Sequence, residues 1–157
     1  MRTILIAVLT LGMGTASFGQ HECEKHQSNT VLRVNQDQWA EAYPFWQKLV
    51  QSCATEGKDC PCFQGEQGDA MWSNATIMFD KLARAEQDAA RRQILVDSMM
   101  DTYEKRIEYY GENSDILMRY GIALMGWVGE SSIDKYHGIL AKSVELGGED
   151  ASSYAVQ

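Results

Sequence analysis

Apolar residues that recur every three or four positions limit most strongly what this chain can fold into. This spacing places side chains on one face of an α-helix, whereas the alternation typical of β-strands is almost absent. The chain is therefore predicted to be all-α, with five helical segments. The apolar stripes consist, in chain order, of Trp39, Tyr43, Trp46, Leu49 or Val50, and Cys53; Trp72, Ala75, Phe79 and Leu82; Leu95, Met99, Tyr103, Ile107 and Tyr110; Leu117, Tyr120, Leu124 and Trp127; Ile133, Tyr136, Leu140 and Val144.

Residues at the ends of these stripes predict where helices begin and end. Gly111 and Gly129 follow the third and fourth stripes, where a helix C-terminus favours glycine. Residues 113–115 offer N-caps for the fourth helix, residues 131–134 resemble a capping box that opens the fifth, and residues 147–148 close it. Because the connections are short and polar, we expect antiparallel helix pairs packed side by side.

Three places depart from the helical pattern. Pro44 predicts that the first helix begins near Tyr43 or is bent there. The segment 20–38 is polar and weakly patterned, and its residues 31–34 suit a short strand or extended coil equally well. Residues 54–69 predict a loop that is rich in glycine and charge.

The first nineteen residues carry the pattern of a secretory signal peptide. Arg2 supplies the basic start, residues 4–11 form an apolar core too short to span a bilayer, and Ser17 and Gly19 are the small residues near the cleavage point. We expect cleavage between Gly19 and Gln20, and a periplasmic or secreted protein. No other apolar stretch is long enough to span a membrane. The predicted organisation is a signal peptide over 1–19, a polar N-terminal segment over 20–38 and a helical domain over 39–157.

The composition argues against several function classes. The chain has 14 Lys and Arg against 22 Asp and Glu, a formal net charge of −8. Nucleic-acid binding needs clustered basic residues, so no nucleic-acid partner is expected. The chain contains no GxSxG, no HExxH and no glycine-rich phosphate loop. We therefore expect a non-catalytic protein with no cofactor.

The four cysteines predict two disulfides in an exported chain. Cys60 and Cys62 are too close in sequence to pair without strain. Two pairings remain open: Cys23–Cys60 with Cys53–Cys62, or Cys23–Cys62 with Cys53–Cys60. The alternative hypothesis is a metal or redox centre in the loop 53–62, completed for a metal by Cys23 or by a histidine, His21 or His26.

Two further patterns could serve binding. Four acidic residues lie on one face of the third predicted helix, which indicates a solvated stripe or a docking surface for a basic partner. The four tryptophans and seven tyrosines are expected mostly in the core, with some lining a surface that binds a peptide. His137 is expected at the edge of the fifth stripe. The acidic residues are Asp97, Asp101, Glu104 and Glu108.

The segment 117–157 carries the most specific pattern. Tyr120-Gly121 allows a close approach by the next helix, whose Tyr136 and Leu140 face it, and the sequence KSVELGGEDASSYAV then ends that helix and opens another. This order resembles Sel1-like and tetratricopeptide repeats. The sequence YPFW at 43–46 is similar to the N-terminal part of secreted bacterial proteins of that type.

The resemblance implies a short solenoid of antiparallel helix pairs that binds a protein or peptide partner of unknown identity. No polar capping helix is visible after residue 151, which predicts that the array continues beyond Gln157. The expected function is thus an exported, non-catalytic repeat module for protein–protein interaction in the bacterial envelope.

Overall fold

The structure, a computed structural model, describes residues 16–148, with side chains from Glu22 onward. The described part contains six α-helices and no strand, which confirms the all-α prediction. Most of the expected signal peptide and the last nine residues lie outside the described range. The helices are α1 (Ala16–Val34), α2 (Trp39–Ser52), α3 (Gly65–Ala85), α4 (Ala89–Tyr110), α5 (Ser114–Trp127) and α6 (Ile133–Gly147), with short 3₁₀ turns at Gly57–Asp59, Pro61–Phe63 and Gly129–Ser132.

Consecutive helices pack as three pairs, α1 with α2, α3 with α4, and α5 with α6. Helix α3 also touches α1 and α2, and α4 touches α5, so that the pairs share one core. The core is built mainly from the predicted stripes, including Trp46, Leu49, Trp72, Phe79 and Met99. No helix among the described residues is long and apolar enough to cross a membrane.

The expectation of a strand or extended coil at residues 31–34 is wrong. Helix α1 continues to Val34 and packs on α2. Its buried face consists of Cys23, Thr30 and Val34, at spacings of seven and four residues. A cysteine and a threonine hold positions where large apolar residues are usual, so the stripe is weak in the sequence although its period is helical.

Of the two alternatives predicted from Pro44, the helix start near Tyr43 is wrong, because α2 begins at Trp39. Pro44 lies inside the helix, where it provides no N–H for the usual hydrogen bond to the carbonyl four residues earlier. Ala42, Trp46 and Leu49 on the same helix are buried in the core. We attribute the survival of the helix through Pro44 to this burial.

Most of the predicted helix ends are confirmed. Asn113 caps α5 by accepting a hydrogen bond at Oδ1 from the Ile116 N–H at 2.9 Å. Gly111 and Gly148 follow α4 and α6 with φ of 81° and 52°, a region that favours glycine. The capping box is wrong, since the Ser132 hydroxyl donates to the Gly129 carbonyl at 3.0 Å and does not cap α6. The 3₁₀ turn Gly129–Ser132 directly precedes α6. The Ser132 hydroxyl makes its hydrogen bond within that turn and is therefore not available to cap the helix.

Helices α5 and α6 approach closely at Gly121, as predicted. A Cβ at this position would lie 2.6 Å from Leu140 Cγ, so any larger residue would displace the Leu140 side chain. Two serines join the same pair of helices at another point. The Ser114 hydroxyl donates to the Ser143 carbonyl at 2.9 Å, and the Ser143 hydroxyl donates to the Ser114 carbonyl at 2.8 Å.

Candidate functional site

The four cysteines form the disulfides Cys23–Cys62 and Cys53–Cys60, one of the two pairings left open by the sequence. The first joins α1 to the turn Pro61–Phe63, and the second joins the end of α2 to the loop that follows it. All four side chains are buried. The sulfur atoms of Cys23, Cys53 and Cys60 lie within 4.8 Å of one another, so the two bonds form one cluster.

Neither His26 nor His137 belongs to this sulfur cluster. Among the described residues, the group of side chains close enough together to hold a metal ion consists of cysteines alone. His26 Nε2 lies 3.4 Å from a carboxylate oxygen of Glu22 on the same helix, and the side chain of His21 lies outside the described residues. His137 is exposed, with its ring 4.7 Å from that of Tyr136.

The aromatic residues mostly build the core. Trp72 lies at the centre of a cluster, with its ring 5.1 Å from Trp46, 5.0 Å from Phe63 and 5.3 Å from Tyr109. Only Tyr109 among these four is partly exposed. A groove of about 380 Å³ lies over the cluster, but its aromatic floor is largely covered by neighbouring side chains.

The predicted acidic stripe is exposed along α4, and three of its members are engaged with neighbours. Asp97 Oδ1 accepts a hydrogen bond from Gln93 Nε2 at 2.8 Å. Glu108 pairs with Lys105 at 2.7 Å. Glu104 Oε1 accepts hydrogen bonds from the Tyr120 hydroxyl at 2.6 Å and from Lys135 Nζ at 2.8 Å. The stripe therefore contributes to the contact of α4 with α5 and α6.

Protonation of Glu104 should weaken this contact. The hydrogen bonds from Lys135 and Tyr120 hold the pKa of Glu104 below its ordinary 4.5. Because the pKa is lower in the folded state, the contact stabilises the fold above about pH 4.5, and the stability is lost as the pH falls through the folded pKa. Glu104→Gln should therefore flatten the dependence of Tm on pH between about pH 5 and pH 3. The change should be a few degrees at most, since the carboxylate is exposed.

Thermal melts across this pH range test the link to Lys135. Lys135→Met removes the main cause of the lowered pKa and should flatten the profile in the same direction. A Glu104→Gln protein whose Tm falls with acid as steeply as that of the wild type would contradict the assignment.

A depression lies between α1 and α3, and it is called the α1–α3 trough. It encloses about 580 Å³. None of its lining residues is ionisable, although 23% of the chain is charged. The surface of the trough therefore offers hydrogen bonds and apolar contact but no ion pair. The trough is lined by Gln27, Ser28, Val31, Leu32, Asn35, Gln67, Ala70, Met71 and Asn74.

Amide side chains provide the polar surface of the trough. Among the described residues, the side-chain amides of Asn35, Gln67 and Asn74 have no hydrogen-bond partner within the chain, whereas Gln27 Nε2 donates to the Cys62 carbonyl at 3.2 Å. Each free amide offers two N–H donors and one acceptor oxygen. Leu32 is 49% exposed and adds an apolar patch beside them.

A second depression, the end pocket, continues the trough and shares Ala70 and Asn74 with it. It encloses about 490 Å³. Arg106 lines it and pairs with Asp69 through two hydrogen bonds, of 2.6 Å from Nε and 2.9 Å from Nη2. The third guanidinium nitrogen, Nη1, is buried without a partner among the described residues. The end pocket is lined by Gly65, Glu66, Asp69, Ala70, Ser73, Asn74, Arg106, Tyr110 and Asn113.

Tyr110 indicates the electrostatic character of the end pocket. Its hydroxyl donates to the Phe63 carbonyl at 2.5 Å. Burial, with a further contribution from the charge of Asp69, raises the pKa of Tyr110 to about 12. The hydroxyl therefore stays protonated at neutral pH, and the surroundings disfavour an additional negative charge.

Sequence patterns did not point to this surface. Gln27 and Asn35 lie in the segment expected to be irregular, and Gln67 lies in the expected loop. The available signal was the seven-residue spacing of Gln67 and Asn74, which places two amides on one helix face once α3 is known to begin at Gly65.

Comparison with known proteins assigns no family to this chain. The resemblance to Sel1-like and tetratricopeptide repeats thus remains a prediction, and the site must be interpreted from its own geometry. No family model, curated protein or solved structure matches the sequence.

Proposed function

We propose that this chain is an exported, non-catalytic helical protein that binds an extended segment of another protein in the α1–α3 trough. The observation that carries the proposal is a trough with three unpartnered amide side chains and no ionisable residue. A peptide main chain presents alternating N–H and C=O groups, and side-chain amides complement both.

The dimensions of the trough suit an extended segment. Gln67 and Asn74 are two helical turns apart, about 10.5 Å along α3. An extended chain covers that length in about three residues. Leu32 and Val31 then offer contact to a small or aliphatic side chain of the partner. The trough contains no aromatic ring, so stacking against a sugar is not favoured.

Three consecutive helix pairs support a repeat-type arrangement of the kind implied by the sequence resemblance. Two disulfides are in keeping with an oxidising compartment such as the periplasm or the exterior. We therefore include both the Sel1-like or tetratricopeptide-like solenoid and the envelope location in the proposal.

Removing the amides should weaken peptide binding. Peptides of twelve random residues, displayed on phage, are selected on the protein and then measured by fluorescence polarisation. Gln67→Met with Asn74→Leu keeps the side-chain size but removes two hydrogen-bonding groups. We expect binding to weaken at least about tenfold, as hydrogen bonds of about 1 kcal/mol each imply.

Gln51→Met is the matched control, because Gln51 is an exposed amide on α2 outside the trough. Its affinity for the selected peptides should equal that of the wild type. Selected peptides that bind the double variant as tightly as the wild type would place the binding surface elsewhere. Binding of neutral oligosaccharides, with no peptide enriched, would reject a protein partner.

The second candidate is a metal or redox centre, favoured by the convergence of the sulfurs of Cys23, Cys53 and Cys60. It requires these sulfurs as free thiols, because a disulfide sulfur is a poor metal ligand. Mass spectrometry without reductant separates the two candidates. Two intact disulfides and no bound metal would eliminate the metal centre, and free thiols with one zinc ion per chain would support it.

A further inference from the structure

We infer that the segment bound in the α1–α3 trough carries a positively charged nitrogen group, either a free N-terminal ammonium or a lysine or arginine side chain, which lies in a pocket beside Glu24. The inference rests on the proposed function, because this pocket shares lining residues with the trough. It names the chemical class of the bound segment and the end of the trough that receives its charge.

The pocket beside Glu24, which we call the glutamine pocket, encloses about 380 Å³. It shares Gln27, Ser28 and Gln67 with the trough and lies at the end opposite Asn74. A segment that follows the trough from Asn74 to Gln67 therefore reaches the glutamine pocket. This pocket is lined by Glu24, Gln27, Ser28, Pro61, Cys62, Gln64 and Gln67.

Three polar side chains of the glutamine pocket already donate hydrogen bonds within the chain. Gln27 Nε2 donates to the Cys62 carbonyl at 3.2 Å. Gln64 Nε2 donates to the Lys58 carbonyl, and the Ser28 hydroxyl donates to a main-chain carbonyl of its own helix at 2.9 Å. Among the described residues, no N–H or O–H group donates to the side-chain oxygens of these three residues. The lining therefore offers acceptor oxygens that have no donor.

Glu24 adds a negative charge to these acceptors. Its side chain is exposed, and its carboxylate makes no hydrogen bond or ion pair with the rest of the described chain. Among the described residues that line the glutamine pocket, Glu24 alone is ionisable, since Cys62 is bonded to Cys23. The exposed Lys25 and Lys58 are not part of the lining. The charge of the lining thus favours a cation.

A positively charged nitrogen group complements both properties of the glutamine pocket. An ammonium group has three N–H donors, a guanidinium has five, and neither has an acceptor. Hydrogen bonds that involve a charged partner are stronger than those between neutral groups, so the carboxylate of Glu24 favours a cation over a neutral amide. The formal net charge of −8 also attracts a cationic segment.

The test removes the positive charge from the peptide. A peptide selected on the full-length protein and labelled at its C-terminus is compared with forms that are acetylated at the N-terminus, or that carry norleucine for lysine or citrulline for arginine. We expect one of these changes to weaken binding about tenfold, as the loss of a charged hydrogen bond implies. An effect of acetylation identifies the N-terminal ammonium as the cation, and an effect of norleucine or citrulline identifies a side chain.

Glu24→Gln connects the cation to the glutamine pocket. In this variant the cationic and neutral forms of the peptide should bind within about twofold of each other, since the charged partner is gone. Glu66→Gln is the matched control, because Glu66 is an exposed carboxylate on α3 outside both the trough and the glutamine pocket. It changes the net charge equally but should keep the ratio of the wild type. Thermal melts establish that both variants are folded.

The outcomes separate the inference from the proposed function. Peptides that depend on Gln67 and Asn74 but tolerate the loss of every positive charge would overturn the inference and leave the proposed function standing. A charge effect that Glu24→Gln leaves unchanged, or that Glu66→Gln removes equally, would overturn it as well, because the cation would then lie elsewhere. Failure to select any peptide that depends on the trough would overturn both.

Discussion

Replacing Cys23 and Cys62 together with alanine should lower the free energy of unfolding by about 4 kcal/mol, the value that loop-closure entropy gives for a loop of this length. The two residues are 39 positions apart, and the bond closes a loop that contains all of α2. It also holds α1 against the turn Pro61–Phe63. Since α1 buries few large apolar side chains, it should lose protection from amide hydrogen exchange first.

The second disulfide provides the comparison. Cys53 and Cys60 are only 7 positions apart, so replacing both with alanine should cost about 2.5 kcal/mol on the same basis. Urea unfolding of both variants and the wild type measures the difference. If the Cys53 and Cys60 variant lost as much free energy of unfolding as the Cys23 and Cys62 variant, or more, the prediction that the disulfide of α1 stabilises the fold most would be contradicted.

Gly68→Ala should destabilise the protein by about 3 kcal/mol or more, because the added methyl group would overlap main-chain atoms. A Cβ on Gly68 would lie closer to the Phe63 carbonyl group than real Cβ atoms approach, and 2.5 Å from the Tyr110 hydroxyl. The same hydroxyl donates to the Phe63 carbonyl. The methyl group would therefore separate α3 from the turn that carries Cys62.

Alanine substitutions at two other glycines serve as comparisons for Gly68→Ala. At Gly121 the neighbour is the side chain of Leu140, which can move, so alanine should cost less, about 1–2 kcal/mol. At Gly138, inside α6, a Cβ would meet nothing within 4 Å, and alanine should stabilise by up to about 1 kcal/mol. Thermal and urea unfolding should rank the three in this order. A Gly68→Ala protein as stable as the wild type would show that Phe63 is not fixed against α3.

The helical periodicity predicted five of the six helices because large apolar residues occupy their buried faces. The same criterion missed α1, whose buried face consists largely of Cys23, Thr30 and Val34. The prediction at Pro44 was wrong about where α2 begins because a local rule was applied where burial of the neighbouring residues dominates. Asn113, one of the three predicted N-cap candidates, caps α5, and Gly111 follows α4 as predicted, since caps depend mainly on the local backbone.

The candidate site was less accessible to prediction than the fold. Its parts come from helices that are distant in the sequence: Arg106 on α4 meets Asp69 on α3, and Gln27 on α1 lies opposite Gln67. Polar residues on an exposed helix face resemble an ordinary solvated surface. Only the packing of α1 beside α3 shows that these amides surround a common trough.

The sequence by itself determined the helical class, most of the helix ends, the close approach at Gly121 and the presence of two disulfides, because each depends on local spacing or on the chemistry of a few residues. The tertiary structure alone decided which cysteines pair, that α1 is a helix held against the loop, and that amide side chains of α1 and α3 surround one uncharged trough. These features depend on distances between residues far apart in the chain, and such distances are fixed only when the helices pack.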